Sequence, residues 1–191
     1  MAHPMTNKNP MKTKLTSIVI CAFAAAVLLL GSANQVSASD ESDVRAAIQR
    51  VFDQLKSGQY EAVYDGLPSS TRARITKDRF VSALRRTQNL YQLDRIEIGA
   101  IRVSGNIAVA DTTMYAHLGK PFDTDGKLVV QQYLISEVYG QWAVATGNKV
   151  VIAKFLNANP SFARKFPIKK PRAFINRDGA WIEIPFGQRG Q

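Results

Sequence analysis

Residues that can transfer protons alternate along one predicted strand of this chain. Within residues 106–118, Asp111, Tyr115 and His117 share one parity, and side chains of one parity lie on the same face of a strand. A carboxylate or an imidazole can act as a general base, and a tyrosine can stabilise an oxyanion. These three residues are therefore the candidates for catalysis, and Glu137 joins their face from the next predicted strand.

The same face also has a structural interpretation. Apolar and hydroxyl side chains share it, namely Val109, Thr113, Val129, Tyr133 and Ile135. Such a half-apolar face is typical of a sheet that packs against a second copy, or against the chain's own C-terminal segment. His117 is the only histidine after residue 38, and no HxH or HExxH spacing accompanies it. We expect no catalytic residue and no metal on this face, with proton transfer by His117 or Asp111 as the alternative.

The opposite face of these strands contains no ionisable side chain. One predicted strand contributes Ala108, Ala110, Thr112, Met114, Ala116 and Leu118 to this face, and the next strand contributes Leu128, Val130, Gln132 and Leu134. An apolar face of this kind is expected to meet the helices. Proton transfer from it is not expected unless a bulge changes the parity of the strand.

Cysteine content and motifs exclude further chemistry. Cys21 is the single cysteine and lies in an apolar run, so the chain beyond it has no thiolate or disulfide. No GxGxxG, P-loop or GxSxG motif occurs, and we expect no cofactor.

Periodicity predicts the elements that position these residues. Apolar spacing predicts helices over 42–57, 60–67 and 76–88, and Ser69-Ser70-Thr71 is typical of a loop. Alternation predicts strands over 93–103, 106–118, 127–139 and 141–146. Arg177-Asp178-Gly179 predicts a hairpin between 174–176 and 180–184. The fold class is therefore α+β, with N-terminal helices on a curved antiparallel sheet and a C-terminal basic extension that ends in a hairpin.

Residues 40–147 resemble the NTF2-like (cystatin/ketosteroid-isomerase-like) superfamily, in particular its exported bacterial members of unknown function. The resemblance lies in the order of the elements, in the connection Leu67-Pro68-Ser69-Ser70-Thr71-Arg72, and in the hairpin end Gly140-Gln141-Trp142-Ala143-Val144. It implies a cone between helices and sheet that holds a ligand or, in the isomerases and dehydratases, an active site. The residues expected to contact a small apolar ligand there are Tyr60, Tyr64, Tyr91, Thr112, Met114 and Gln132.

The first 38 residues have the pattern of a secretory signal peptide. Lys8, Lys12 and Lys14 precede an uncharged run over residues 15–30, and Val36-Ser37-Ala38 supplies small residues for cleavage. We expect export to the periplasm or beyond the cell, with a start at Met1 or Met11. A retained membrane anchor is the alternative.

The positive charge is concentrated at the C-terminal end. Residues 40–148 contain 13 basic and 13 acidic residues, whereas residues 149–191 contain nine basic and two acidic ones. We expect an anionic envelope surface to contact the basic extension, residues 148–191, through Arg164, Lys165, Lys169, Lys170 and Arg172. A solvated linker is the alternative, and export makes nucleic acid an unexpected main target.

Three functions follow from these patterns. The first is an exported, non-enzymatic domain that binds a small apolar ligand or, through its outer sheet face, a protein partner or a second copy. The second is a small isomerase or dehydratase that uses Asp111 or His117 as base, with Tyr60, Tyr64 or Tyr115 as its partner. The third is a carrier for the envelope-binding basic segment.

Overall fold

The computed structural model describes residues 38–137, 140–145, 153 and 156–185. All the described residues belong to one compact unit. The expected signal peptide, apart from Ala38, lies outside the described residues. Within the described ranges, no helix is long and apolar enough to cross a membrane.

Helices precede strands, as the periodicity predicts. They are α1 (Ala38–Lys56), α2 (Tyr60–Asp65), α3 (Ser69–Arg72) and α4 (Lys77–Thr87). Thr76 caps α4 by accepting a hydrogen bond from the Arg79 amide at 3.4 Å. The short helix α3 differs from the predicted loop, since the Thr71 and Arg72 amides donate to the Pro68 carbonyl and close one turn.

The strands are β1 (Tyr91–Ser104), β2 (Ile107–Leu118), β3 (Thr124–Ser136), β4 (Trp142–Val144), β5 (Arg172–Arg177) and β6 (Ala180–Ile184), with helix α5 (Pro160–Lys165) before β5. The described strands form an antiparallel sheet of order β1-β2-β3-β5-β6. Strand β4 shares the free edge of β3 with β5, pairing residues 134–136 while β5 pairs residues 126–129. The α+β class is confirmed, and the architecture agrees with the one that the family resemblance implies.

The C-terminal hairpin is built as the sequence predicts. Asp178 and Gly179 both have positive φ, 53° and 83°, the backbone that a two-residue hairpin turn needs. The amide of Gly179 also donates to the Asn176 side chain at 3.0 Å. The turn joins β5 to β6, and β5 in turn pairs with β3. The hairpin therefore continues the sheet formed by the strands before it.

The core lies between α1 and one face of the sheet, the inner face. Val44, Ala47 and Ile48 of α1 meet the sheet side chains Ile101, Val103, Ala108, Ala110, Leu134, Trp142 and Val144. Burial of this kind contributes about 25 cal/mol for each Å² of apolar surface removed from water. The small-residue parity of β2 is thus the one that faces the helix, as predicted.

Two bulges in β1 leave the parity of β2 intact. The register between β1 and β2 shifts between Leu93 and Arg95 and again between Ile98 and Ile101. At the second shift, Gly99 and Ala100 stand opposite Asp111, and a side chain at Gly99 would press on the Asp111 carbonyl oxygen at 3.3 Å. Because β2 pairs with β3 without a shift, Asp111 stays on the outer face.

Candidate functional site

The residues expected to line the cone do not meet in a described cavity. Thr112 is buried and donates its hydroxyl hydrogen to the Val130 carbonyl at 2.8 Å. The Tyr64 hydroxyl donates to the Ile75 carbonyl at 2.9 Å, and the Tyr60 hydroxyl to the Gln88 side chain at 3.4 Å. Tyr91 and Met114 are half-buried and Gln132 is buried. None of these six residues lines the cleft near His117 or the two depressions on α1, and their role in binding a ligand stays a prediction.

Asp111 is surrounded by cations and amides. One carboxylate oxygen accepts from Lys169 Nζ at 2.7 Å and from both terminal nitrogens of Arg102 at 3.2 Å. The other oxygen accepts from Gln131 Nε2 at 3.2 Å. Gln131 in turn accepts from the Lys169 amide at 2.8 Å and from the Tyr133 hydroxyl at 3.1 Å. We call Asp111, Gln131, Arg102 and Lys169 the latch.

The latch makes Asp111 a poor base. Partial burial acts to raise the pKa of this carboxyl, but the hydrogen bonds from Lys169, Gln131 and Arg102 outweigh it and hold the pKa below its ordinary value. Both oxygens are already occupied by donors. A general base needs a free lone pair and a pKa near the working pH, so Asp111 is suited to holding the chain in place.

What the latch holds is the segment of residues 156–170, which we call the strap. Leu156 and Phe162 are buried against Ile107, Val109 and Tyr133 of the outer face. The ring of Phe166 packs edge-on against Phe162, with 4.8 Å between centroids. Of the two structural interpretations of this face, the described residues therefore show packing against the chain's own C-terminal segment.

The other end of the outer face is open. A cleft of about 350 Å³ lies there, lined by Lys56, Gln92, Leu93, Asp94, Arg95, Tyr115, Ala116, His117, Asp125, Gly126 and Trp181. Two more open depressions lie on α1, one over residues 46–59 and one between α1 and Ile96 and Ile98. The cleft takes residues from α1, β1, β2, β3 and β6, whereas the depression beside Ile96 and Ile98 joins two elements, α1 and β1.

Aromatic rings and cations alternate across this open end. The Arg95 guanidinium lies 3.7 Å from the centre of the Tyr115 ring, and Trp181 packs edge-on against Tyr115 at 6.2 Å. Lys127 Nζ lies 4.5 Å from the Trp181 ring centre and 5.1 Å from that of Phe174. Contacts of a cation with a ring face are typically worth about 0.5–1 kcal/mol at exposed sites. These contacts of Arg95 and Lys127 orient the aromatic rings on a solvent-exposed face.

His117 stands between two carboxylates. Its Nδ1 lies 3.2 Å from Asp125 Oδ1, and its Nε2 lies 3.4 Å from Asp123 Oδ1. The hydrogen bonds to Asp125 and Asp123 raise the pKa of the imidazole above its ordinary value. The protonated ring donates through both nitrogens and leaves no lone pair for a proton, so this geometry favours a charged anchor over a base.

Tyr115 is the third catalytic candidate. Its hydroxyl donates to Glu97 at 3.1 Å. Desolvation and this hydrogen bond raise the pKa of the phenol, so the group stays neutral and can donate a hydrogen bond. Of the candidates for catalysis, Tyr115 and His117 line the same cleft. Asp111 lies six residues from His117 along the strand, roughly 20 Å away at about 3.3 Å per residue.

The predicted basic residues differ in their surroundings. Lys169 is bound in the latch, and Arg172 forms a two-bond pair with Glu183 at 3.0 and 2.6 Å. Arg164 donates to the Ser161 hydroxyl at 3.3 Å, and Lys165 lies 5.4 Å from the Phe166 ring centre. Within the described ranges, Arg164, Lys165 and Lys170 have no acidic partner.

Of the residues that line the cleft, only Tyr115 and His117 were candidate site residues from the sequence. Among the others, Lys56, Arg95, Asp125 and Trp181 come from four separate elements. The sequence contained a sign of where Arg95 lies. The apolar residues of β1 move from odd to even positions between Leu93 and Ile96, and this change marks the bulge that places Arg95 on the outer face. Trp181 joins only because the hairpin extends the sheet. Among the described residues, no group of three or more His, Asp or Glu side chains could hold a metal ion.

Comparison with known proteins identifies no family for this chain. No family model matches it, and no curated protein sequence does. Among solved structures, an LEH-like epoxide hydrolase from M. tuberculosis is 13% identical over 65% of this chain and 98% of its own, with a TM-score of 0.38.

Proposed function

We propose that this protein is an exported, non-enzymatic domain of the NTF2-like kind, and that it binds a small polar ligand in the outer-face cleft. One observation carries the proposal. In the cleft, the side chains of Arg95, Tyr115 and His117 converge with the exposed ring of Trp181, and the Tyr115 ring contacts both Arg95 and Trp181. Concave sites that combine aromatic rings with a few polar groups are typical of ligand sites.

The charges at the cleft favour a ligand without net charge. Arg95 pairs with Asp94, Lys56 donates to the Asp94 backbone carbonyl, His117 lies between Asp123 and Asp125, and Lys127 lies over Trp181. Cations and carboxylates therefore nearly balance. A neutral or zwitterionic ligand with one flat face can lie against Trp181 and exchange hydrogen bonds with Arg95 and Gln92. This proposal replaces the predicted apolar ligand with a polar one, because Val44, Ala47 and Ile48 of α1 pack on the inner face of the sheet.

The isomerase- or dehydratase-like alternative has one feature in its favour, which is that His117 and Tyr115 share the cleft. Against it, both nitrogens of His117 face carboxylates and the cleft is open to water. Binding without turnover is the expected behaviour.

The test uses residues 36–191, the compact unit that contains every core residue named above. Native mass spectrometry of the purified protein records any bound molecule together with the oligomeric mass. Titration with N-acetylglucosamine, glycine betaine and laurate, followed by backbone NMR, then locates binding. We expect shifts at Tyr115, His117 and Trp181 from a polar probe, and recovery of that probe unchanged.

Trp181→Ala is expected to weaken binding about tenfold, because a stacked ring contributes on the order of 1 kcal/mol or more. Ile182→Ala is the matched control, since Ile182 is exposed on the opposite face of the same strand. Shifts from laurate at Thr112, Met114 and Gln132, with none in the cleft, would overturn the proposal in favour of the cone.

A further inference from the structure

The strap contains three exposed cations that lie within a few residues of one exposed apolar side chain. Ile168 is 56% exposed. Arg164, Lys165 and Lys170 flank it in the chain, are exposed, and have no acidic partner within the described ranges. We call Arg164, Lys165, Ile168 and Lys170 the basic ridge. Its exposed isoleucine is unusual because the rest of the strap's large apolar side chains, Leu156, Phe162 and Phe166, are turned onto the sheet.

The latch and the buried rings hold the ridge in place. The Lys169 amide donates to Gln131 and its ammonium group to Asp111, so the backbone is pinned between Ile168 and Lys170. On the other side, Phe162 anchors helix α5 and with it Arg164 and Lys165. A pinned segment has already lost much of its conformational freedom, so binding through it costs less entropy than binding through a loose tail.

We propose that the basic ridge docks this domain onto an anionic lipid bilayer, with Ile168 entering the interface between headgroups and acyl chains. Charge complementarity identifies the surface as anionic, and the exposed isoleucine among the cations favours a bilayer over a soluble polyanion, because only the bilayer offers an apolar layer beneath its charge. Of the five cations expected from the sequence, Lys169 and Arg172 are engaged within the chain. Docking therefore depends on three cations and one apolar residue.

The magnitude follows from the number of free charges. Each lysine or arginine near an anionic surface strengthens binding about fivefold at physiological salt. Three of them amount to on the order of a hundredfold, and this gain falls as salt screens the attraction. Attachment of this strength is reversible.

The experiment is co-sedimentation of residues 36–191 with two kinds of vesicle, phosphatidylcholine alone and phosphatidylcholine mixed with phosphatidylglycerol. We expect binding to the mixed vesicles, weakened by added salt, and little binding to phosphatidylcholine alone. The triple variant R164Q/K165Q/K170Q is expected to lose on the order of a hundredfold in affinity. The matched control R74Q/R79Q/R86Q removes the same charge from exposed arginines around α4 and is expected to keep most of the binding.

Ile168→Asp separates docking by charge from entry into the interface. We expect it to weaken binding several-fold beyond the effect of Lys170→Gln, which changes the charge without removing an apolar side chain. Equal binding to both kinds of vesicle, an equal loss in the control triple, or full binding by Ile168→Asp would each overturn the proposal. So would dextran sulfate binding as tightly as the mixed vesicles, because that result would make any polyanion a sufficient partner.

Discussion

The two ends of the outer face of β2 each carry an ionisable residue, but the two residues differ in exposure and in the charge of their neighbours. At the strap end, Asp111 is three-quarters covered and bound by two cations and an amide. At the open end, His117 is half exposed and stands between two carboxylates. Both pKa values move so that the charged form is favoured, downward for the acid and upward for the base. The role of an ionisable residue on a sheet face therefore depends on what covers it, and chemistry cannot be inferred from residue type alone.

The largest expected difference between the two ends is in packing. Phe162→Ala removes the buried ring with which the strap packs on the sheet and is expected to lower the free energy of unfolding by about 3–5 kcal/mol. Trp181→Ala at the open end is expected to cost less than about 1 kcal/mol, because Trp181 is 37% exposed. Urea unfolding followed by circular dichroism measures both. Equal losses would mean that the open end is as much a part of the core as the strap.

The second difference concerns the latch. Asp111→Asn leaves Lys169 and Arg102 without their shared carboxylate and is expected to cost about 1–3 kcal/mol. Asp65→Asn is the matched control, because Asp65 also pairs with a lysine at 2.7 Å but is 57% exposed. An exposed pair of that kind contributes about 0–1 kcal/mol. If the two variants unfold at the same urea concentration, the latch does not hold the strap.

The latch is expected to make the free energy of unfolding depend on pH. The folded pKa of Asp111 is lowered, so its contribution is present above the unfolded value of about 3.9 and is lost as the pH falls through the folded pKa. The stability difference between the wild type and Asp111→Asn should therefore be constant near neutral pH and shrink in acid. A difference that grows in acid would contradict the assignment.

The smallest effect is expected at His117. Its folded pKa is raised, so the contribution of its carboxylate contacts is present below about 6.5 and is lost as the pH rises through the folded value. In residues 36–191 His117 is the only histidine, so one NMR titration reports its pKa directly. Asp125→Asn should lower that pKa more than Asp123→Asn, since the hydrogen bond to Asp125 is the larger cause. The reverse order would mean that Asp123, and not Asp125, contributes most to the raised pKa of His117.

Much of the fold could be predicted because local chemistry determines it. Thr76 caps its helix through a neighbouring amide, and Asp178-Gly179 adopts the positive φ of a hairpin turn whatever surrounds it. The faces of β2 follow from alternation alone, since a strand without a bulge cannot turn single residues over. The parity changes in β1, from Leu93 to Ile96 and from Ile98 to Ile101, mark its two bulges within the sequence itself.

The candidate site could not be predicted in the same way. The cleft needs Trp181 beside Tyr115, which depends on the long-range pairing of β5 with β3. The latch needs Lys169 to return 58 residues along the chain to Asp111. Alternation shows that Asp111 and His117 face outward, but it carries no information on which segment covers one and leaves the other open.

The α+β class, the two faces of the strands and the concentration of positive charge after residue 148 can all be read from the amino-acid order. Which cations are engaged, which end of the outer face stays open and which side chains share a cleft depend on how distant segments pack together. The difference lies in the sequence separation over which the interactions act. Hydrogen bonds within a turn and side-chain alternation involve near neighbours in the chain, whereas burial and ion pairing depend on segments that the whole fold brings together.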